Sequence, residues 1–304
     1  MGQDSNPDFR CGYVAVLGRP NVGKSTLMNH ILGQKVSITS RKPQTTRHRV
    51  LGIYTDDDAQ ILFVDTPGIH KKEARTINRY MNRAATSSID YVDIVVFVVD
   101  GTIWSEDDEH ALTKLKEANC KSILFVNKVD KIKNKEELLP FLEEVGQKHN
   151  FDIVYPGSAL KGDNLDSLLK TLKQWLPQGD LFYPEDYITD RSSRFMAAEL
   201  VREKLMRTLG DEIPYSSTVE IEQFKQQDNG VLHVNALILV ERNSQKSIII
   251  GKQGSRLKQI GRDARLDMEE QFGQKVFLEV WVKVKDGWAD DERALRSLGF
   301  EDHL

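Results

Sequence analysis

The stretch Gly18-Arg19-Pro20-Asn21-Val22-Gly23-Lys24-Ser25 decides the fold of this chain. It follows the apolar, β-branched residues 13–17 and precedes residues 26–32, whose composition predicts a helix that stops at Gly33. A loop of the pattern G-x-x-x-x-G-K-[ST] between a strand and a helix indicates a phosphate-binding loop, or P-loop. A glycine turn with a chance lysine does not account for eight matching positions in this context.

Each part of the P-loop has a chemical role. The glycines let successive backbone N–H groups point at phosphate oxygens, and the helix N-terminus adds partial positive charge. We expect Lys24 to reach the β- and γ-phosphates of a nucleotide and the Ser25 hydroxyl to ligate Mg²⁺. The predicted nucleotide-binding residues of this stretch are Gly18, Arg19, Pro20, Asn21, Val22, Gly23, Lys24, Ser25 and Thr26.

Composition sets the broad class of the protein. The 304 residues suffice for two domains, and 39% hydrophobic with 29% charged residues is typical of a globular protein. No apolar run approaches the roughly 18 residues of a membrane span, and the polar stretch 1–10 predicts no signal peptide. The spacing of Cys11 and Cys120 fits no disulfide framework or metal site, which predicts reduced thiols and a cytosolic protein. The net charge of −4 does not predict nucleic-acid binding, so any such signal must be local.

A second phosphate-side motif is Asp65-Thr66-Pro67-Gly68, which follows the strand predicted over residues 60–64. D-x-x-G alone is a common turn, but its position after a P-loop predicts that Asp65 holds Mg²⁺ and that the Gly68 N–H bonds the γ-phosphate. Hydrolysis would free such a loop, which is how a segment becomes a switch. The acidic turn 56–58 is expected to be solvated rather than to bind metal.

A third motif, Asn127-Lys128-Val129-Asp130, selects the base. The Asp130 carboxylate can accept hydrogen bonds from the ring N–H and the 2-amino group of guanine, whereas adenine would leave the charge unpaired, which argues against an ATPase. We expect Asn127 and Lys128 to brace the loop, and the backbone N–H of Ala159, after Ser158, to meet the guanine carbonyl. Strands alternating with helices predict a mostly parallel, doubly wound sheet with its ligand at the carboxyl ends of the strands.

The motifs G-R-P-N-V-G-K-S, Q-T-T-R, D-T-P-G, N-K-V-D and S-A-L together resemble the translation-factor-like GTPases and, within them, the Era family. The resemblance implies that a threonine of the first switch completes the Mg²⁺ shell. Both Thr45 and Thr46 fit, and we favour Thr46. It also implies that residues of about 37–49 and 65–80 differ between GTP and GDP states.

One position departs from the Ras-type pattern, because Ile69 stands where Ras-type proteins carry the glutamine that orients water. Intrinsic turnover should therefore be slow. Some similar GTPases use K⁺ held by a P-loop asparagine, and Asn21 occupies that position. Whether Asn21 binds K⁺ or only shapes the loop is left open. The predicted catalytic residues are Lys24, Thr46, Gly68 and Asn21, and the predicted metal ligands are Ser25, Thr46 and Asp65.

The segment 179–193 carries Pro and Gly and no periodicity, which predicts a linker between residues 1–178 and 194–304. After it, residues 194–209 predict an amphipathic helix, and two strands flank the hairpin turn at Asp228-Asn229-Gly230. Gly251-Lys252-Gln253-Gly254 then lies between an apolar turn at residues 247–250 and a basic helix, 256–272. A strand and a short last helix complete the order of elements.

This order around G-x-x-G resembles a type II KH domain, an α+β fold that binds single-stranded RNA. In KH domains the loop clamps about four nucleotides. Residues 242–265 carry seven basic residues against Asp263 alone, and with the clamp inside the run we expect phosphate contacts rather than a merely solvated face. Packing alone could also explain Ile249, Ile250 and Leu257, and Trp288 could stack a base or anchor the core. The predicted RNA-binding residues are Ile250, Gly251, Lys252, Gln253, Gly254, Arg256, Lys258 and Arg262.

The combined resemblance implies a Mg²⁺-dependent GTPase switch that binds GTP and GDP and the 3′ end of 16S ribosomal RNA during assembly of the small ribosomal subunit. It also implies a cytoplasmic protein with peripheral contact at the inner membrane and no DNA partner. The alternative is a nucleotide-gated adaptor whose KH-like domain reads a protein or a lipid head group.

Overall fold

Two separate sheets organise the chain. The computed structural model describes residues 8–42, 44–68, 75–87, 91–118, 120–210 and 213–300. Within these residues the first sheet has six strands in the order β2-β3-β1-β4-β5-β6 and the second has three in the order β7-β8-β9.

The six-stranded sheet is mostly parallel, as predicted. Its strands are β1 Arg10–Leu17, β2 Val50–Thr55, β3 Ala59–Asp65, β4 Ile94–Asp100, β5 Lys121–Asn127 and β6 Ile153–Pro156. Only β2 runs antiparallel to its neighbour, β3. The carboxyl ends of the parallel strands therefore lie along one edge, and the P-loop, D-T-P-G and N-K-V-D motifs all follow strands at that edge.

Helices pack on both faces of this sheet. The helices of this unit are α1 Lys24–Leu32, α2 Thr76–Ser87, α3 Glu106–Glu117, α4 Leu138–Gly146 and α5 Leu165–Trp175, and all but α2 contribute to the clusters on the sheet. Leu27 of α1 and Leu168 of α5 pack on one face, and Leu112 of α3 and Val145 of α4 pack on the other. This arrangement explains the apolar run of residues 94–99 in β4, whose seven residues, Asp100 included, are all buried.

The second unit has the predicted order of elements. They are α6 Ser193–Thr208, β7 Ser217–Gln226, β8 Leu232–Val240, α7 Asn243–Ile250, α8 Ser255–Phe272, β9 Val276–Val284 and α9 Glu292–Ser297. The apolar turn expected at residues 247–250 is wrong, because these residues form the end of α7. The Gln245 side chain accepts hydrogen bonds from the N–H groups of Glu241 and Arg242, both at 3.0 Å, and so caps the helix.

The last segment of the described chain packs back on α2. Ile77 and Met81 of α2 form one apolar cluster with Trp288, Leu295 and Phe300. Trp288 is fully buried, and its Nε1 donates to the Ser216 carbonyl at 3.3 Å. It is therefore an anchor, and it does not present a stacking surface for a base.

Helix α6 differs from the amphipathic helix that its sequence predicts. The expected apolar stripe is present, but the polar side chains of Glu199, Arg202, Glu203 and Lys204 are buried as well. Arg202 and Glu203 bond residues of the first unit, and Lys204 pairs with Asp267 of α8, so this polar face is covered rather than solvated. None of the described helices combines the length and the apolar character of a membrane span.

Candidate functional site

A cavity of about 480 Å³ opens at the carboxyl edge of the six-stranded sheet. It brings together the P-loop, the loop between α1 and β2, Gly68 and the two loops after β5 and β6. Of the residues that the sequence predicts, the lining contains Pro20, Asn21, Gly23, Lys24, Ser25, Thr26, Thr46, Gly68, Asn127, Lys128, Asp130 and Ala159.

Lys24 is the buried cation of the cavity. It is 6% exposed, and its Nζ donates to the carbonyls of Gly18 at 2.8 Å and Arg19 at 2.9 Å. Burial lowers the pKa of Lys24 from 10.5 to about 8, and the charge of Asp65 opposes that shift. A desolvated ammonium of this kind gains strongly from an anionic ligand such as a phosphate chain.

Three hydroxyl groups converge on the Asp65 carboxylate. Oδ2 accepts from Ser25 and Ser37, both at 2.7 Å, and from Thr46 at 3.3 Å, and the hydroxyls of Ser25 and Thr46 are 2.9 Å apart. Oδ1 is buried and has no hydrogen-bond partner among the described residues. Burial raises the pKa of Asp65, and the hydrogen bond from Ser37 and the charge of Lys24 oppose the shift.

This set of oxygens fits Mg²⁺, which prefers hydroxyl, carboxylate and water ligands. A cation would stabilise the charged form of Asp65 that burial disfavours. The other candidate threonine, Thr45, directs its hydroxyl elsewhere, to the Lys42 carbonyl at 2.7 Å and to Ser40 at 2.7 Å. The geometry therefore favours Thr46 over Thr45 as the ligand.

Gly68 lies directly against the P-loop. A Cβ added at this position would be 2.6 Å from the Pro20 ring and 2.9 Å from the Pro20 backbone, so only glycine permits this approach. Asn21 has a φ of 65°, and its Nδ2 donates to the Arg41 carbonyl at 2.9 Å. Ile69 and the rest of 69–74 in the predicted second switch lie outside the described residues.

The N-K-V-D loop is braced as expected. Asn127 Nδ2 donates to the Val22 carbonyl at 2.6 Å, which ties the loop to the P-loop. Lys128 Nζ bonds the Asn21 carbonyl at 2.6 Å and pairs with Asp100 at 2.7 Å. These contacts hold the base side and the phosphate side of the cavity in one frame.

The Asp130 carboxylate, which we expect to select the base, accepts a hydrogen bond from a hydroxyl. Ser158 Oγ donates to Asp130 Oδ1 at 2.6 Å. The N–H of Ala159, which we expected at the guanine carbonyl, donates to Asn127 Oδ1 at 2.8 Å, so a base would have to share this donor.

Three of the predicted residues do not line the cavity but support the backbone of the P-loop. The Arg19 side chain turns away to pair with Asp108, with Nε at 2.8 Å from a carboxylate that is fully buried on α3. Val22 is fully buried, and Gly18 has a φ of 149° at a place where an added Cβ would lie 2.3 Å from the Val98 carbonyl oxygen. These residues position the loop backbone.

The G-x-x-G loop stands apart from the cavity, between α7 and α8. Gly251, Gln253 and Gly254 have positive φ values of 70°, 52° and 76°, so the loop is tight. Glycine adopts this left-handed conformation with the least strain. A Cβ on Gly251 would be 2.8 Å from the Cβ of Arg256. Lys252 and Gln253 are exposed at the tip of the loop.

The basic residues that follow lie on α8. Lys258 and Arg262 are exposed, whereas Arg256 donates to the Ile248 carbonyl at 2.6 Å and so braces α7 against α8. Ile249 is fully buried in the core, and Ile250 and Leu257 pack against it while partly exposed. Among the candidates for an apolar floor, this arrangement retains Ile250 and Leu257 and excludes Ile249.

Known families match both halves of the chain. A family described as 50S ribosome-binding GTPase matches residues 13–128, and the KH domain family matches residues 212–289. GTPase Era of Pasteurella multocida is 60% identical over 297 residues, which cover 98% of this chain and 97% of that protein. GTPase Era of Vibrio parahaemolyticus is 59% identical over 100% of this chain and 95% of its own length.

This chain belongs to the Era family of GTPases. Two solved Era structures match with a TM-score of 0.92 at 43% identity, over 96% of this chain and 99% of each of theirs. One is a tyrosine-to-alanine variant of Aquifex aeolicus Era bound to GDP·AlF₄⁻, and the other is Era in complex with MgGDPNP and nucleotides 1506–1542 of 16S ribosomal RNA. The predicted fold, a P-loop GTPase domain followed by a type II KH domain, is confirmed.

Sequence reasoning missed several residues of this Era-family site. Ser37 bonds Asp65, and Thr39, Ser40, Arg41 and Gln44 line the cavity, yet the segment shows only a polar loop without periodicity. No spacing rule identifies them, because their positions depend on how the loop folds over the P-loop. The sequence does not predict the positive φ of 56° at Gln44.

Proposed function

We propose that this Era-family GTPase is a Mg²⁺-dependent switch whose KH domain binds the single-stranded 3′ end of 16S ribosomal RNA in small-subunit assembly. The observation that carries the proposal is the likeness, over nearly the whole chain, to Era in complex with MgGDPNP and 16S nucleotides 1506–1542. The exposed G-x-x-G tip and the basic α8 supply the chemistry that such an RNA requires.

On the nucleotide side, Ser25, Thr46 and Asp65 would hold the Mg²⁺, supported by their convergent oxygens. When bound, Mg²⁺ neutralises charge on the β- and γ-phosphate oxygens. Lys24 binds and orients the same phosphates, the Gly68 N–H bonds the γ-phosphate, and Asp130 selects guanine. Residues 37–49 and 65–80 would change between the GTP and GDP states, because γ-phosphate contacts order them.

The proposed domain division is 1–178, 179–193 and 194–304, supported by α5 ending at Trp175 and α6 beginning at Ser193. We also propose a cytoplasmic location with peripheral contact at the inner membrane, an expectation that comes from the family resemblance.

The RNA proposal is tested by filter binding with a single-stranded oligonucleotide of the 16S 3′ end. Lys252→Asp combined with Gln253→Asp places two carboxylates at the clamp, and we expect at least about a 30-fold loss of RNA affinity. GTP hydrolysis in the absence of RNA should be unchanged, because these residues lie outside the cavity.

A matched control exists in the same domain. Lys225→Asp combined with Gln226→Asp makes the same charge change at an exposed Lys-Gln pair at the end of β7. This control should bind RNA like the wild type. Equal RNA affinity of the clamp variant and the wild type would contradict the proposal, and retention on anionic vesicles or on a protein instead would favour the adaptor alternative.

We propose further that K⁺ assists hydrolysis through the Asn21 amide oxygen. GTP turnover should then be faster in K⁺ than in Na⁺ at equal ionic strength. Asn21→Gly is the sharper variant, because glycine keeps the left-handed backbone while removing the amide. If Asn21 only shapes the loop, Asn21→Gly retains its rate and the two salts give equal turnover.

A further inference from the structure

The first switch segment, residues 37–49, is held by the KH domain rather than by its own domain alone. Its described residues and the preceding Lys35 make polar contacts with α6, with the segment around β7 and with α8. The contacts are Lys35 with Glu203 and Asp267, Thr39 with Glu203 and Arg207, Lys42 with Leu209 and Gly210, Thr45 with Arg202, and Arg47 with Pro214 and Ser217.

Both neighbours of Thr46 are anchored to the KH domain. Before it, the Arg202 guanidinium donates to the Thr45 carbonyl, while pairing with Glu199 at 2.6 Å. After it, the buried Arg47 donates to the carbonyls of Pro214 at 2.7 Å and Ser217 at 2.8 Å. Thr46 thus lies between two fixed points, and its hydroxyl is 2.9 Å from that of Ser25.

The beginning of the segment is anchored as well. Glu203, whose side chain is fully buried, accepts the Thr39 N–H at 3.0 Å and pairs with Lys35 at 2.5 Å. Arg207 donates to the Thr39 carbonyl at 3.1 Å. Lys42 donates to the carbonyls of Leu209 and Gly210, where the dipole of α6 favours a cation.

These contacts explain why α6 carries charged side chains that are buried. Burying charged side chains on a helix is costly unless each is paired and hydrogen-bonded. Glu203 and Arg207 bond the backbone of Thr39, and Arg202 bonds the backbone of Thr45, so these side chains fix the main-chain position of the switch segment. The apolar cluster of α2 and Trp288 is a separate contact between the two units.

We infer that Arg202, Glu203 and Arg207 of α6 are positioning residues for the GTPase site, because they hold the switch segment so that the Thr46 hydroxyl meets Ser25 and Asp65. The inference rests on the proposed role of Thr46 as a Mg²⁺ ligand. It assigns to the KH domain a second task besides RNA binding, the completion of the metal site in the other domain.

The test compares the full-length wild type with Arg202→Ala and Arg207→Ala. Both variants should raise the Mg²⁺ concentration for half-maximal binding of a fluorescent non-hydrolysable GTP analogue, Arg202→Ala by about tenfold, the effect of losing one hydrogen bond to a charged donor. Hydrogen exchange of residues 37–49 in the analogue-bound state should accelerate by a similar factor, and kcat for GTP should fall more than KM rises. Arg202→Lys, which keeps a donor, should recover part of each effect.

The matched control is Arg194→Ala, on the same helix. Arg194 donates only within its own domain in the described contacts, to the carbonyls of Ile221 and Glu222. This variant should behave as the wild type in all three readouts. Affinity for GDP without Mg²⁺ should be unchanged in every variant, because Lys24 and Asp130 are untouched.

Arg202→Ala removes the ion-pair partner of Glu199 and could prevent folding. Arg207 is half-exposed, so Arg207→Ala is expected to fold and still tests the inference. Wild-type Mg²⁺ dependence and exchange in a folded Arg207→Ala or Arg202→Ala would overturn the inference. A wild type that binds the analogue without regard to Mg²⁺ would instead refute the proposed metal site itself.

Discussion

The chain contains two glycine-rich loops with a lysine, and they lie in opposite surroundings. In the P-loop, Lys24 is 6% exposed and its pKa is lowered to about 8 by burial. In the G-x-x-G loop, Lys252 is exposed at the tip and lies outside the cavity.

The difference separates two kinds of recognition. A buried lysine acts within a cavity whose donors and acceptors are fixed, so a wrong ligand leaves polar groups unpaired and selectivity is high. An exposed lysine contributes charge in a medium that salt screens, so binding is broad and depends on ionic strength. Substituting the lysine of one loop should therefore leave the direct ligand contacts of the other loop unchanged, whereas the nucleotide state reaches the KH domain only through the switch segment and α6.

The largest expected effect concerns the selectivity of the cavity. Asp130→Ala should reduce the preference for GTP over ATP by about 10³-fold or more, because the carboxylate that pairs with the guanine N–H groups is lost. Competition binding with both nucleotides measures this ratio. Asp58→Ala, which removes an exposed carboxylate from the β2–β3 turn, is the control, and RNA affinity should not change. An unaltered GTP-to-ATP ratio in Asp130→Ala would remove the guanine assignment.

The next effect concerns the exposed clamp. With about three exposed cations on phosphates, Lys252, Lys258 and Arg262, the single-strand relation predicts a slope near −2.1, which is roughly a 20-fold loss of RNA affinity between about 50 and 200 mM salt. Titration of the oligonucleotide at several salt concentrations checks it. Guanine nucleotide affinity should respond much less, and a flat RNA profile would contradict phosphate contact.

A smaller effect distinguishes the buried lysine. Lys24 has its pKa lowered from 10.5 to about 8, so the free protein loses this charge as the pH rises through about 8. GTP affinity should therefore fall about tenfold from about pH 7 to about pH 9. The free energy of unfolding responds to pH in the opposite direction. Because the unfolded chain keeps the proton up to 10.5, the stability contribution of Lys24 rises between pH 8 and 10.5.

Equilibrium binding across this pH range tests the assignment. Lys24→Met should bind GTP weakly and show a flatter profile than the wild type. If the wild type binds GTP equally at both ends of the range, Lys24 does not carry the phosphate contact.

Local sequence predicted the P-loop side well, for a physical reason. The loop, its strand and its helix are contiguous, and each motif follows a strand whose carboxyl end must reach the same edge of the sheet. The same holds for the clamp, since G-x-x-G and the helix after it are neighbours in the chain. In both cases the residues of the motif are neighbours in the sequence as well as in the structure, so the sequence pattern alone predicts the loop.

The contacts of α6 could not be predicted in this way. Arg202 bonds Thr45 across 157 positions of sequence, and Arg47 bonds Pro214 across 167. Period 3.6 identifies the apolar stripe of α6, but it gives no sign that the polar face is buried too. The 247–250 error has a different, local origin, because the apolar run Ile248 to Ile250 carries no helical period of its own and the helix begins earlier, where Gln245 caps it.

The most direct test of the account measures the RNA affinity of the wild type loaded with a non-hydrolysable GTP analogue and loaded with GDP. If the switch segment and the KH domain bias one another through α6, coupling must be reciprocal and should be at least about fivefold. The account predicts tighter RNA binding in the analogue-bound state and a ratio close to one in Arg202→Ala. Equal RNA affinity of the two wild-type states would contradict it.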